Sequence, residues 1–261
     1  MVKRVLIFDS GVGGLSVYQE IYAQLPDVQY IYAFDDAAFP YGELPESELI
    51  ERTSYIVNLL VARHQIDLVV VACNTASTIV LPTLRGQLTI PVVGVVPAIK
   101  PAALLSQQKV IGLLATPATV QRAYTDSLIR QFARDCEVLR IGSTRLVEMA
   151  EQKLRGEAVD LEELREILSP WRQRVDCIVL GCTHFPLIKA EIQQAFEQPV
   201  QIVDSGKAIA NRVKALLGEM PCERKEPNLT YNSAAVLPAA LNTSLQAMHL
   251  QTIKSLDYPR S

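Results

Sequence analysis

Eight apolar runs of strand length punctuate the chain: VKRVLIFD (2–9), YIYAFDD (30–36), DLVVVAC (67–73), IPVVGVV (90–96), KVIGLLAT (109–116), CEVLRIG (136–142), DCIVLGC (176–182) and PVQIVD (199–204). They read as strands that are apolar on both faces, which is the pattern of parallel sheets covered by helices. Between them lie longer amphipathic stretches, the clearest being ESELIERTSYIVNLLVARH (46–64) and VQRAYTDSLIRQFARD (120–135). Strand and helix in alternation predict an α/β fold of doubly wound parallel sheets.

The pattern echoes itself. LIFDSG leads to Cys73 and LLATPAT leads to Cys182 at nearly the same separation, counting from Asp9 and from Thr116. The expectation is two similar doubly wound parallel-sheet domains related by pseudo-symmetry, one α/β unit used twice. Two prolines in VVPAIKPAA (95–103) mark a linker, and VQIVDSGKAIANRVKALLGE (200–219) reads as a return crossing. The division expected is residues 1–96 plus 206–261 for a discontinuous first domain and 97–205 for the second. The tail from Pro221 is turn-rich at first, and AAVLPAALNTSLQAMHL (234–250) is ambiguous between helix and strand; neither is assigned a function.

Composition narrows the class. The chain has 261 residues, 49% of them hydrophobic, enough for two cores. The 25 Lys and Arg against 28 Asp and Glu leave a net charge of -3 with no basic block, which argues against nucleic acid as a partner. The N-terminal apolar run VLIF is too short for a secretory signal, and no run approaches the ~20 residues of a membrane span. A cytoplasmic protein with no membrane partner is expected. Its oligomeric state is open, a homodimer included.

Five cysteines, at 73, 136, 177, 182 and 222, include no C-x-x-C pair, so neither a disulfide framework nor a metal site is expected. Cys73 and Cys182 stand apart because each ends an apolar run and opens a polar one, ACNTAS and GCTHFP. A thiol between a strand and a helix sits near unpaired backbone N–H groups and the positive end of the helix dipole, which favours thiolate. A single such cysteine is more often a packing residue; two in matched settings reverse that weighting. Cys136, Cys177 and Cys222 lack the context.

In open parallel sheets ligands sit beyond the carboxyl ends of strands. Asp9 and Ser10, Asp35 and Asp36, Cys73 with Asn74 and Thr75, Thr116, and Cys182 with Thr183 and His184 all fall there, so the active site is expected in the cleft between the two domains. Two opposed thiols suit stereoinversion without a cofactor: one thiolate removes a proton from carbon and the other thiol delivers one to the opposite face. Ser10, Asn74, Thr75 and Thr183 with helix N-termini suit a carboxylate, and Asp9 an ammonium or a neighbouring thiol. Asp9 and Ser10 equally fit a capped turn, and FPYGELP (39–45) an ordinary turn carrying Tyr41 and Gly42. A hydrolase built on Cys182 and His184 is a rival, as is a two-domain binding protein; the first leaves Cys73 idle and the second leaves both thiols unexplained.

FDSGVGGLSV (8–17), PYG (40–42), ACNTAS (72–77) and GCTHFP (181–186), in this order, resemble the glutamate racemases, and the resemblance spans residues 5 to about 218. Racemases for related amino acids such as aspartate share the paired cysteines, but DSGVGG and PYG point to glutamate. The resemblance implies a cofactor-independent enzyme that interconverts L- and D-glutamate and supplies D-glutamate for peptidoglycan. It implies Cys73 as the thiol acting on the D-enantiomer and Cys182 on the L-enantiomer, with Asp9 and His184 assisting. Ser10, Tyr41, Gly42, Asn74, Thr75 and Thr183 match substrate contacts. Glu151, in LVEMAEQ, stands where the family has a further assisting carboxylate and also reads as a solvated helix face. LLATPATV departs from the pattern at Ala118, where many relatives have Gly, which bears on any role of Thr116 and Thr119.

Overall fold

The computed structural model describes residues 2–218, 226–234, 239–256 and 258. Cys222, the turn-rich stretch after Pro221 and residues 235–238 of AAVLPAALNTSLQAMHL lie outside the described residues. The chain divides into two compact units, Met1–Val95 with Gly206–Ser261, and Val96–Ser205. The first begins with β1 (Arg4–Asp9), α1 (Leu15–Gln24), β2 (Gln29–Phe34), α2 (Glu46–His64), β3 (Leu68–Val71), α3 (Asn74–Gln87) and β4 (Val92–Gly94). The second comprises α4 (Ile99–Leu105), β5 (Val110–Ala115), α5 (Pro117–Gln121), α6 (Ala123–Phe132), β6 (Glu137–Gly142), α7 (Arg145–Leu154), α8 (Leu161–Leu168), β7 (Cys177–Leu180), α9 (Lys189–Gln194) and β8 (Gln201–Val203). The chain then returns to the first unit with α10 (Gly206–Leu217), β9 (Asn228–Asn232), α11 (Ala239–Ala247) and β10 (Leu250–Ser255).

Each unit is wound around a parallel sheet. The orders are β10-β9-β2-β1-β3-β4 and β6-β5-β7-β8. In both, the first strand lies between the second and the third, and the fourth lies beyond the third. The internal echo is therefore a repeat of topology, to which β9 and β10 add two strands on the first sheet.

The central strands are buried on both faces, as their continuous apolar runs require: Val5–Phe8 and Leu68–Val71 have no exposed surface. Leu6, Phe8, Val69 and Val71 pack against α2 and α3 through Ile56, Leu60, Val80 and Leu84. In the second unit Ile111, Leu113, Cys177 and Val179 pack against α4. The aspartates that open the two cysteine motifs are alike structurally. Asp67 accepts the Arg4 N–H at 2.9 Å, and Asp176 accepts the N–H groups of Gln107 and Gln108 at 2.6 and 2.7 Å. Each ties down the loop at the start of its sheet, far from the thiol at the other end of the strand.

One expected helix is broken. Residues 120–135 form two pieces separated at Arg122, whose backbone is extended (φ -73°, ψ 138°). The Thr125 hydroxyl donates to the Thr119 carbonyl at 2.6 Å, competing locally with helical bonding. Among the described residues no helix is long and apolar enough to cross a membrane.

Candidate active site

The hydrogen-bond register places the two thiols at equivalent positions. The N–H of Ala72 reaches Phe8 O and the N–H of Gly181 reaches Leu114 O, each at 2.7 Å, so each chain leaves its sheet at the next residue, a cysteine. In a sheet wound in this order the chain departs to opposite sides from the first and third strands, and the crevice outside their carboxyl ends is where ligands bind. Cys73 and Cys182 sit at those crevices. The same register pairs Ser10, not Asp9, with Thr116. Gly181 allows the close approach: a Cβ there would lie 3.0 Å from Ala115 Cβ and 3.3 Å from Leu114 O. Gly181→Ala is expected to destabilise the protein by about 1–3 kcal/mol through overpacking, read as a lower urea midpoint; an unchanged midpoint would show that the strand end can yield.

In the first unit Cys73 caps α3, and its Sγ accepts the Ala76 N–H at 3.4 Å. Ser10 Oγ lies 3.7 Å from the same sulfur, and the thiol is 6% exposed. A helix N-terminus and a hydroxyl are the partners a thiolate uses. Asn74 and Thr75 follow in the first turn, both buried, and Asn74 Oδ1 has no hydrogen-bond partner. An unpartnered buried acceptor beside a thiol is the feature a ligand donor would satisfy.

Asp9 takes the turn role that the sequence also allows for it. It has no exposed surface, and its oxygens accept the N–H groups of Ser10 at 2.8 Å and Gly14 at 2.5 Å, holding the DSGVGG turn. Tyr41 is buried and donates to Asp35 Oδ2 at 2.7 Å. Burial first, and then the Asp35 charge, push its phenol well above the usual range. Gly42 is exposed in the same 3-10 turn, Tyr41–Glu43.

The second unit gives its thiol another kind of partner. Cys182 does not cap an α-helix: His184 and a 3-10 turn, Phe185–Ile188, follow it before α9. His184 Nδ1 lies 3.8 Å from Cys182 Sγ, and His184 Nε2 lies 2.9 Å from Glu151 Oε1. All three are buried. Burial alone would depress the His184 pKa, but hydrogen bonds to Cys182 and Glu151, with their charges, outweigh it and hold the imidazole well above its usual range. Glu151 is on α7 and also meets Arg155 at 3.4 Å; it is not a solvated face.

Thr183 is buried beside them. Thr116 Oγ1 accepts the Thr119 N–H at 3.3 Å and lies 3.0 Å from the Thr119 hydroxyl, so this pair caps α5. Cys177, five positions before Cys182, has no exposed surface, and burial with the charge of Asp176 pushes its thiol up to about 11. It is a packing residue. Arg52 and Ser233 are new to the picture: both hydrogen-bond Asp35, and nothing in their local sequence signals it.

Residues 6–213 match the profile of the Asp/Glu/Hydantoin racemase family. The glutamate racemase of Aliivibrio fischeri (strain ATCC 700601 / ES114) is 57% identical, with 100% of each chain covered. That of Vibrio cholerae serotype O1 is 58% identical over 98% of this chain and 97% of its own. Among solved structures, Escherichia coli glutamate racemase in complex with L-glutamate and the activator UDP-MurNAc-ala matches with a TM-score of 0.93 and 49% identity, covering 98% of each chain.

Proposed function

Because the chain belongs to the glutamate racemases of the Asp/Glu/Hydantoin racemase family, we propose that it interconverts L- and D-glutamate by a cofactor-independent two-thiol proton transfer at the α carbon, supplying D-glutamate for peptidoglycan and the cell wall. The observation that carries the mechanism is the register equivalence of Cys73 and Cys182, each with its own charge-stabilising partner. One thiolate takes the Cα proton, and the other thiol delivers a proton to the opposite face of the same carbon. On this reading Cys73 acts on the D-enantiomer and Cys182 on the L-enantiomer.

The chemistry demands help because a Cα–H is far less acidic than a thiol. Both cysteines are buried, at 6% and 7% exposure, and a water-poor site strengthens every charge interaction made there. The N-terminus of α3, with Ser10, Thr75 and Thr183, suits the substrate carboxylates. Asn74 Oδ1 suits the ammonium, and Asp9 acts by shaping the turn that carries Ser10. Protonated His184, braced by Glu151, serves the Cys182 half of the exchange. General acid–base catalysis of this kind contributes about 10²–10⁴-fold to rate.

The direct test is L-glutamate in D₂O, followed by polarimetry and by Cα–H NMR. Rotation falls to zero as the α position fills with deuterium. Glutamate left unchanged in rotation and protonation would sink the reading, and turnover of aspartate in its place would redirect it.

A further inference from the structure

Asp35 directly follows β2, has no exposed surface and gathers three segments of the first unit. Arg52 on α2 grips it with two hydrogen bonds, Nε to Oδ2 and Nη2 to Oδ1, both 2.7 Å. The Tyr41 hydroxyl donates to Oδ2 at 2.7 Å, and the Ser233 hydroxyl, just after β9, to Oδ1 at 2.5 Å. A buried carboxylate requires a paired charge, and the bidentate guanidinium fork supplies one with fixed geometry. Arg52 is covered in turn from the C-terminal end of the chain: the Tyr258 ring lies 4.1 Å from its guanidinium carbon and meets Tyr55 edge-on at 5.1 Å.

The cluster reaches the thiol through Tyr41. That ring is 2% exposed and belongs to the same packed core as Cys73 and Ala76, and its 3-10 turn packs against α3, the helix that Cys73 caps. The raised phenol stays a donor to Asp35 through neutral pH. The orientation of Tyr41 is therefore set by Asp35, that of Asp35 by Arg52, and the dryness of Arg52 by Tyr258.

We propose that Asp35, Arg52 and Tyr258 are positioning residues: they brace the Tyr41 turn against Cys73, so that the C-terminal end of the chain governs the rate of proton transfer at that thiol. This rests on Cys73 being the thiol for the D-enantiomer. None of the three needs to touch substrate.

The test compares wild type, Tyr258→Ala, Tyr258→Phe and Arg52→Lys with D- and L-[2-²H]glutamate. Losing the ring over the guanidinium in Tyr258→Ala is expected to lower kcat/KM about 3-fold to 10-fold. Losing the fork in Arg52→Lys costs about 10-fold to 100-fold through misplacement. Both fall equally in the two directions, because the enantiomers are equal in energy. The signature is in the isotope effects. A slower step at Cys73 raises the deuterium effect with D-[2-²H]glutamate and lowers it with the L-enantiomer, whereas simple loss of folded enzyme changes neither. Tyr258→Phe keeps the ring and matches wild type. Activity in Tyr258→Ala and Arg52→Lys equal to wild type, or loss with unchanged isotope effects, overturns the brace. A wild-type protein that leaves glutamate untouched overturns the racemase reading and the brace with it.

Discussion

Cys73→Ser and Cys182→Ser each lower racemisation of glutamate by about 10²–10⁴-fold, the range of a lost acid–base group. A serine hydroxyl at either position fills nearly the same space but is far less acidic than a thiol, so it does not ionise at neutral pH to take the Cα proton. Stability should change little, because serine is nearly isosteric and can keep the hydrogen-bond contacts each thiol makes: Cys73 with the Ser10 hydroxyl and the Ala76 N–H, and Cys182 with the His184 ring. The pair separates the mechanism from its rival. A Cys182–His184 hydrolase predicts that Cys73→Ser is silent. Two-thiol inversion predicts that both variants fail, and that any surviving deuterium exchange proceeds with retention, on D-glutamate in Cys182→Ser and on L-glutamate in Cys73→Ser. Racemisation at the wild-type rate in either variant would end the two-thiol account. Polarimetry and Cα–H NMR in D₂O read both outcomes in one sample.

The parts of this site that local sequence makes visible are those set by strand periodicity. Continuous apolar runs end where β3 and β7 end, and the polar residues that follow are the ones at the crevices. α2 spans residues 46–64, as its periodicity predicts. Sequence shows the two thiols as twins, and chemically they are not. Cys73 rests on a helix N-terminus and a hydroxyl, whereas Cys182 rests on an imidazole held by a carboxylate 33 positions earlier in the chain. That carboxylate is on another helix, so no spacing rule brings Glu151 to His184. The same holds for Arg52, whose partner Asp35 lies 17 positions earlier, outside α2. Sequence separation counted from Asp9 also misaligns the echo. The ladder bonds of Ala72 and Gly181 match Ser10 with Thr116, and of these only Ser10 reaches a thiol, Thr116 being engaged in capping α5.

Glu151→Gln tests the unlike half of the pair. The substitution keeps the shape and one hydrogen bond to His184 but removes the charge, a loss of about 1.5–3 kcal/mol, or roughly 10-fold to 100-fold in turnover. The pH dependence gives the sharper reading. In wild type, burial pushes the His184 pKa down, and the bonds and charges of Cys182 and Glu151 more than reverse this. With the Glu151 charge gone, less opposes the effect of burial, so His184 loses its proton at lower pH and the alkaline limb of the rate profile moves down. Stability follows the same sign. The folded pKa lies above the unfolded value of about 6.5, so the stabilisation is fully present below that pH and fades as pH rises through the folded pKa. The gap between wild type and Glu151→Gln in urea unfolding is therefore widest near about pH 6 and narrows under alkaline conditions. A gap that is constant with pH, together with an unmoved rate profile, would mean that His184 is neutral in the working enzyme and that Glu151 only packs against it.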